Sequence, residues 1–267
     1  MKVRQLLITG LVTLTLVSCA KSPTGRSQFL MFDQKKVDTM GLQSFAELKD
    51  KSKINKDKKL NQYVQCVAHQ IIKATPAKYQ TSPWEVVVFD DDQVNAFALP
   101  GGKIGVYTGL LLVAENQHQL AAVIGHEVGH VMAEHANERL SSSTAVEGIM
   151  NVADVALTAM NARYKNEISG ALGVGAQVGV MLPYSRAHES EADLIGLDLM
   201  ARAGFDPQES VKLWQNMEKN GSGGTPQLLS THPVPENRIK ALQQHMTDAV
   251  GLYQNKKQQG GSVRCSS

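Results

Sequence analysis

The sequence predicts a mostly α-helical protein with a small β-sheet, an α+β fold. With 267 residues, of which 42% are hydrophobic and 19% charged, the chain can bury one sizeable core. Apolar residues recur at helical spacing over residues 33–73 and 117–140, and start and stop signals predict further helices over residues 185–203 and 207–219. Short runs rich in β-branched residues occur in residues 84–111. The chain therefore supplies many helices and one small set of strands.

Each predicted element has its own signal. Residues 33–73 are helical on both sides of a solvated lysine-rich stretch, KDKSKINKDKK. The run WEVVVFDDD predicts a strand, and PGG, residues 100–102, predicts the turn of a hairpin. Residues 144–182 are small and apolar but interrupted by charges, which favours close helix packing or a mobile flap. Gly204 ends one later helix, and Pro207 begins the next.

The N-terminal residues are typical of an export signal. Lys2 and Arg4 precede an apolar run that is too short to span a bilayer. The run ends in LVSC, which resembles a bacterial lipobox, so we predict removal of residues 1–18 and acylation of Cys19. Ala20 follows, where aspartate would resemble an inner-membrane retention signal, so we expect an outer-membrane lipoprotein that faces the periplasm. The alternative is an ordinary signal peptide with an incidental cysteine.

We predict three segments after this signal. Residues 19–32 are rich in turn formers and would be a lipid-anchored tether that leads into the domain. Residues 33–253 would form the domain, and residues 254–267, rich in Gly, Ser and Gln, a flexible tail. Cys66 and Cys265 would lie in an oxidising compartment, as either a disulfide or two unrelated thiols.

The charge distribution limits the partners. The formal net charge is +2, and no basic stripe interleaved with aromatic residues runs along the chain. We therefore expect no nucleic-acid partner. Attachment to the membrane would come from lipid rather than from charge.

The stretch HEVGH, residues 126–130, predicts a metal site. Residues four apart on a helix share a face, so His126 and His130 can bind a single zinc ion. Glu127 beside them suits a general base that takes a proton from water activated by the metal. The alternative is a helix with two core histidines, which would bury three polar side chains at a cost.

A third ligand is sought further along the chain. His135, five positions past the second histidine, is rotated by about 140° from the ligand face and is predicted to be a surface residue. Glu147 has no supporting acid nearby, which makes it a weak candidate. In SRAHESEADLIG, Glu189 and Asp193 share a helix face while Glu191 points elsewhere. We predict Glu189 as the third ligand and Asp193 as the group that orients a histidine, the alternative being a solvated acidic face.

The motifs HEVGH, ESEAD and THPVPENRI together resemble the membrane-associated zinc peptidases of the forty-eighth metallopeptidase family, which include HtpX, BepA, LoiP and the CAAX prenyl proteases. GRSQFL and NAFALPGGKIGVYTGLL also resemble the family's upstream segments. Because the sequence has no visible spanning helix, the likeness is nearest to the LoiP-like periplasmic lipoproteins. The resemblance implies a gluzincin-type fold, one zinc ion per chain, and endoproteolysis of unfolded or misassembled envelope proteins. It maps the family's E-x-x-x-D element onto Glu189 and Asp193.

The resemblance also implies a role for His232 and Arg238 in THPVPENRI. His232 would either occupy the open metal position as a latch or withdraw and stabilise the oxyanion, with Arg238 adding positive charge. The residues alone favour the start of a helix, in which Pro233 and Pro235 set the turn and Arg238 faces solvent.

Two rival functions stay open at this stage. One is a catalytically idle adaptor or chaperone-like protein that holds envelope partners. The other is a zinc exopeptidase or amidase with a small envelope substrate.

Overall fold

The structure, a computed structural model, covers most of the chain. It describes residues 20–80, 83–159, 165–177, 181–220, 227–232, 236–261 and 263–266. These residues are mostly helical and contain two small sheets, which confirms the predicted α+β class. The predicted signal peptide, Cys19, Pro233 and Pro235 lie outside the described residues.

The first described segment is packed onto the domain. Strand β1 (Ala20–Lys21) pairs antiparallel with β2 (Ser27–Gln28), and the side chains of Ser22 and Gln28 are buried. Residues 20–32 were predicted as a tether, but their polar side chains contact buried carboxylates of the domain. This part of the chain is therefore an integral layer of the fold.

Two capped helices follow. Helix α1 (Gln34–Lys51) begins after Asp33, whose side chain accepts from the Lys35 amide, and α2 (Lys58–Lys73) begins after Asp57, which accepts from the Leu60 amide. Helix α2 buries one apolar stripe in the core, which comprises Tyr63, Val64, Val67, Ala68 and Ile71.

The larger sheet has three strands in the order β3–β5–β4. They are β3 (Glu85–Phe89), β4 (Ala96–Leu99) and β5 (Lys103–Tyr107). Strands β4 and β5 form the predicted hairpin, and its turn requires glycine because Gly101 and Gly102 have φ angles of 81° and 73°. Strand β3 pairs parallel to β5. Strand β4 is thus an edge of the sheet.

The helix that carries HEVGH ends earlier than predicted. After the short α3 (Leu110–Val113), α4 (Gln117–Met132) ends at Met132 and α5 (His135–Ala159) begins three residues later. Glu134 between them has a φ of 51°, which interrupts the helix. The single helix predicted over residues 117–140 is therefore two helices.

Helix α7 (Leu182–Ala203) packs closely across α4. A Cβ added at Gly196 would lie 2.6 Å from the His126 backbone nitrogen, and one at Gly125 would lie 2.8 Å from the Gly196 carbonyl oxygen. Only glycine allows the two backbones to come so near. Gly204, with a φ of 91°, ends α7 as predicted.

The remaining helices surround this pair. They are α6 (Lys165–Ala176), α8 (Glu209–Asn220), α9 (Gln227–Thr231) and α10 (Glu236–Gln258). Helix α6 packs against α5, whose outer face exposes apolar side chains. No helix among the described residues is both long and apolar enough to cross a membrane.

The C-terminal residues do not form the predicted free tail. Helix α10 continues to Gln258, past the expected boundary at residue 253. Gln117 then donates to the Val263 carbonyl at 2.9 Å and accepts from the Cys265 amide at 2.7 Å. Cys66 and Cys265 form a disulfide that ties this segment to α2. The disulfide and the two hydrogen bonds hold these polar C-terminal residues against α2 and α4.

Candidate metal centre

The two histidines of HEVGH project into one buried site. The Nε2 atoms of His126 and His130 lie 3.0 Å apart on α4. Glu189 reaches them from α7, with Oε2 3.3 Å from His126 Nε2 and Oε1 3.4 Å from His130 Nε2. The three residues that the sequence predicted as ligands therefore meet at one point.

A third imidazole joins this cluster. His232 Nδ1 lies 2.9 Å from Glu189 Oε2 and 3.3 Å from His126 Nε2. One ligand atom from each of His126, His130, Glu189 and His232 can be chosen so that all four lie within 4.8 Å of one another. His232 directly follows α9, and the structure places its ring beside the two histidines of HEVGH.

Glu127 faces both this cluster and the edge strand. Its Oε2 accepts from the Ala98 amide of β4 at 3.2 Å. Its Oε1 lies 3.5 Å from His232 Nε2, and this buried oxygen has no hydrogen-bond partner among the described residues. A buried carboxylate oxygen without a donor indicates a site built to receive another group.

Asp193 and Arg238 lie behind the cluster and contact two of its side chains, His126 and Glu189. Asp193 Oδ1 accepts from His126 Nδ1 at 3.0 Å, as the spacing on α7 predicted. Arg238 Nη1 lies 3.3 Å from Glu189 Oε2, and its guanidinium stacks over the Trp214 ring at 5.2 Å. Arg238 is 2% exposed, so the alternative in which it faces solvent is wrong. The carboxylates of the site draw this cation into the core.

Burial and neighbouring charges shift the pKa values of the three candidate ligands in different directions. Burial lowers the pKa of His126, but Asp193 and Glu189 outweigh it and raise that pKa to about 9. Burial holds the pKa of His130 well below its usual value. Burial also raises the pKa of the Glu189 carboxyl. Hydrogen bonds from the surrounding histidines outweigh this effect and hold that pKa well below its usual value. When both imidazoles are neutral, their two nitrogens and the Glu189 carboxylate oxygen form a three-ligand donor set that fits a catalytic zinc ion.

Sequence comparison places the chain among known peptidases. The model of the family described as "Peptidase family M48" matches residues 58–246, a range that contains the whole cluster. The chain belongs to peptidase family M48. The resemblance in the sequence motifs is thereby confirmed, and peptidases of this family use zinc.

Several relatives of this M48 chain have names. It is 32% identical over 245 residues to "Metalloendopeptidase OMA1, mitochondrial" of Danio rerio, which covers 86% of this chain and 50% of that protein. Identity to "Mitochondrial metalloendopeptidase OMA1" of Schizosaccharomyces pombe is 37% over 169 residues, covering 62% and 48%. Identity to the "Beta-barrel assembly-enhancing protease" of Escherichia coli is 28% over 207 residues, covering 75% and 42%. The chain spans between 33% and 50% of the length of the curated relatives it matches.

The M48 site contains a histidine that the sequence analysis placed wrongly. His135 is completely buried, with Nδ1 2.8 Å from His130 Nδ1 and Nε2 3.1 Å from Glu191 Oε2. The predicted rotation away from the ligand face assumed one continuous helix. Because Glu134 ends that helix, the chain turns and brings His135 back beneath His130.

A layer of buried ions lies behind His135. Glu191 accepts from the hydroxyls of Ser22 and Thr24 and from Arg26 Nε, the last at 2.8 Å. Arg26 also donates from Nη1 and Nη2 to Glu138 at 2.8 and 2.6 Å. Arg26 belongs to GRSQFL, the upstream segment that resembles the family, but nothing in its sequence indicated which acids it contacts.

The other candidate residues lie outside this M48 site. Glu147 is exposed on α5, which agrees with its weak candidacy. Cys19 is outside the described residues, so its acylation remains a prediction.

Proposed function

We propose that this chain is a zinc-dependent endopeptidase of the bacterial cell envelope. The observation that carries the proposal is the position of Glu127, whose carboxylate lies between a His–His–Glu cluster and the edge strand of the sheet. Family membership supports hydrolysis of peptide bonds.

His126, His130 and Glu189 would hold the zinc ion. When bound, zinc supplies a Lewis acid that polarises a carbonyl and lowers the pKa of water. Glu127 acts as the general base, because Oε2 is fixed by the Ala98 amide while Oε1 is left to accept a proton from water. The water oxygen bonds to the scissile carbon, the C–N bond breaks, and Glu127 returns the proton to the departing amine.

The sheet edge supports cleavage within a chain rather than at its end. Strand β4 lies beside Glu127 and pairs with β5 along only one side in the described residues. An extended substrate can add to such an edge through main-chain hydrogen bonds, which need no chain terminus. This arrangement favours an endopeptidase over an exopeptidase or amidase.

We propose that His232 acts as a latch. Its Nδ1 stands among the ligand atoms, where a catalytic metal site keeps a position open for water or substrate. Withdrawal of His232 would open that position. Arg238 is a positioning residue in this scheme, because it contacts Asp193 and Glu189.

Envelope location is inferred from the N-terminal sequence. Acylation of Cys19 would anchor the mature chain to the outer membrane on its periplasmic side, with unfolded or misassembled envelope proteins as substrates. The name of the Escherichia coli relative, a protease that enhances β-barrel assembly, supports such substrates. Other relatives are mitochondrial by name. The proposed envelope location therefore rests on the lipobox-like sequence rather than on the similarity of the domain.

One set of assays tests the function against both rivals. The unaltered protein should cut an unfolded protein and a peptide blocked at both termini, and a chelator should abolish both activities. Glu127→Gln should keep stoichiometric zinc and lose about a hundredfold to ten-thousandfold in rate. Glu189→Ala should lose zinc as well, whereas Glu147→Gln, an exposed acid on α5, should change neither.

Each rival has its own signature in these assays. An exopeptidase or amidase would spare the doubly blocked peptide. An adaptor would bind unfolded protein without cleaving it, and Glu127→Gln would then change nothing. Full zinc content in Glu189→Ala would contradict the proposed third ligand.

A further inference from the structure

The two proposed ligand histidines are held from behind in different ways. His126 Nδ1 contacts a carboxylate, Asp193 Oδ1, at 3.0 Å. His130 Nδ1 instead contacts another imidazole, His135 Nδ1, at 2.8 Å. The carboxylate on the second path is one residue further away, because His135 Nε2 lies 3.1 Å from Glu191 Oε2. His130 is therefore joined to a carboxylate through a histidine.

The contacts assign the direction of these hydrogen bonds. A carboxylate only accepts, so the proton of neutral His135 lies on Nε2 and points to Glu191. The Nδ1 atom of His135 then carries a lone pair, and His130 Nδ1 must donate to it. This leaves the lone pair of His130 on Nε2, the nitrogen that faces Glu189 and His126. The path selects the tautomer that a metal requires.

The N-terminal segment holds the far end of this path. Glu191 accepts from Ser22, Thr24 and Arg26, so its carboxylate is fixed as an acceptor for His135. Arg26 also forms a bidentate pair with Glu138, which is completely buried. Residues 22–26 therefore lock the orientation of Glu191 from a part of the chain that is far from the HEVGH helix in sequence.

We propose that His135 and Glu191, fastened by Arg26, are positioning residues that hold the ring and the tautomer of His130 for metal binding. The inference rests on the proposed role of His130 as a ligand. It makes the segment before the domain a part of the metal centre, because removal of Arg26 releases Glu191 and loosens His135.

The test measures metal binding in variants that keep or lose the polarity of the path. In His135→Gln, the side-chain carbonyl can still accept from His130 and the amide can still donate to Glu191. In His135→Leu neither contact is possible. We expect zinc affinity, measured by competition with a chromophoric chelator, to fall by about tenfold to a hundredfold in His135→Leu. His135→Gln should recover most of that loss. Of these two variants, only His135→Leu should alter the visible absorption of the Co²⁺-loaded protein.

A second pair of variants keeps the proposal testable if His135→Leu does not fold. Arg26→Gln removes the clamp on Glu191, whereas Lys21→Gln alters an exposed cation of the same segment, whose Nζ donates to the Ser27 hydroxyl. We expect weaker zinc binding and an altered Co²⁺ spectrum in Arg26→Gln alone. Equal zinc affinities in all folded variants would overturn the proposal. Full zinc affinity in His130→Ala would instead overturn the ligand assignment in the proposed function.

Discussion

Arg238 and Asp193 form a bidentate ion pair buried behind the metal cluster. The guanidinium donates from Nε to Oδ2 at 2.7 Å and from Nη2 to Oδ1 at 2.8 Å. The same Asp193 oxygen, Oδ1, accepts from His126. One cation therefore fixes the carboxylate that in turn fixes His126, a proposed metal ligand.

The first prediction concerns this pair. Arg238→Met should lower the free energy of unfolding by about 3–5 kcal/mol, because it removes the cationic partner of a buried ion pair. Arg202 offers a matched control: it is 54% exposed and lies 3.8 Å from Asp198, so Arg202→Met should cost less than about 1 kcal/mol. Urea unfolding measures both. Similar losses in the two variants would contradict the role of burial.

The second prediction decides the role of His232. Since its imidazole stands within the ligand cluster, His232→Ala should raise the rate of peptide cleavage while zinc content stays at one ion per chain. Steady-state kinetics on a quenched peptide, with metal analysis of the same sample, provide the measurement. A loss of about a hundredfold in kcat would instead assign His232 to stabilisation of the oxyanion.

The third prediction concerns the disulfide. Cys66 and Cys265 are separated by 199 positions, so their bond closes a long loop of the unfolded chain. Replacement of both cysteines by serine should lower the free energy of unfolding by about 2–4 kcal/mol and leave zinc content unchanged. Reductant should reproduce this loss in the unaltered protein and have no effect on the double variant. A reductant effect on the double variant would point to another cause.

The fourth prediction is a pH dependence of stability. Burial raises the pKa of Glu209, but hydrogen bonds from Lys212, Asn116 and Gln119 lower it to about 2. Its folded pKa lies below the unfolded value of about 4.3, so Glu209 stabilises the fold above that pH and loses its contribution as the pH falls towards 2. Glu209→Gln should cost on the order of 1 kcal/mol at neutral pH, since solvent screens the pair with exposed Lys212.

Urea unfolding of the two proteins at neutral and acidic pH tests this dependence. The difference between unaltered protein and Glu209→Gln should shrink steadily below about pH 4. A difference that stays constant with pH would show that Glu209 acts through packing rather than through its charge.

The fifth prediction concerns the anchor. Cys19→Ala should abolish labelling with a fatty acid and leave the protein as an unprocessed or soluble form, because the acylation point is gone. Cell fractionation should find the unaltered mature protein in the outer membrane. Its recovery in the inner membrane would refute the sorting inferred from Ala20.

The residues that sequence reasoning placed well are related by short, regular spacing. His126 and His130, and likewise Glu189 and Asp193, are four apart on one helix, so periodicity alone predicts that each pair shares a face. The roles of His232 and Arg238 at the site were predicted from the motif resemblance rather than from helix geometry. Arg238 illustrates the limit, because only the three-dimensional arrangement of carboxylates shows why a cation is buried at that position.

The contacts of His135 and Arg26 behind the cluster could not be derived from helical spacing. The position of His135 depends on a positive φ at Glu134, and nothing in the residue type there signals it. Arg26 meets Glu191 across a separation of 165 positions, a contact that only the packed fold creates.

The contact between Gly125 and Gly196 sets the distance between the two helices that carry the metal cluster. Glu189 belongs to the helix that Gly196 presses against α4, so the gap between these backbones determines how far the carboxylate stands from the two histidines. A single methyl group at position 196 would meet the His126 backbone and push the helices apart. The distance between the proposed metal ligands of the two helices thus depends on a residue that has no side chain.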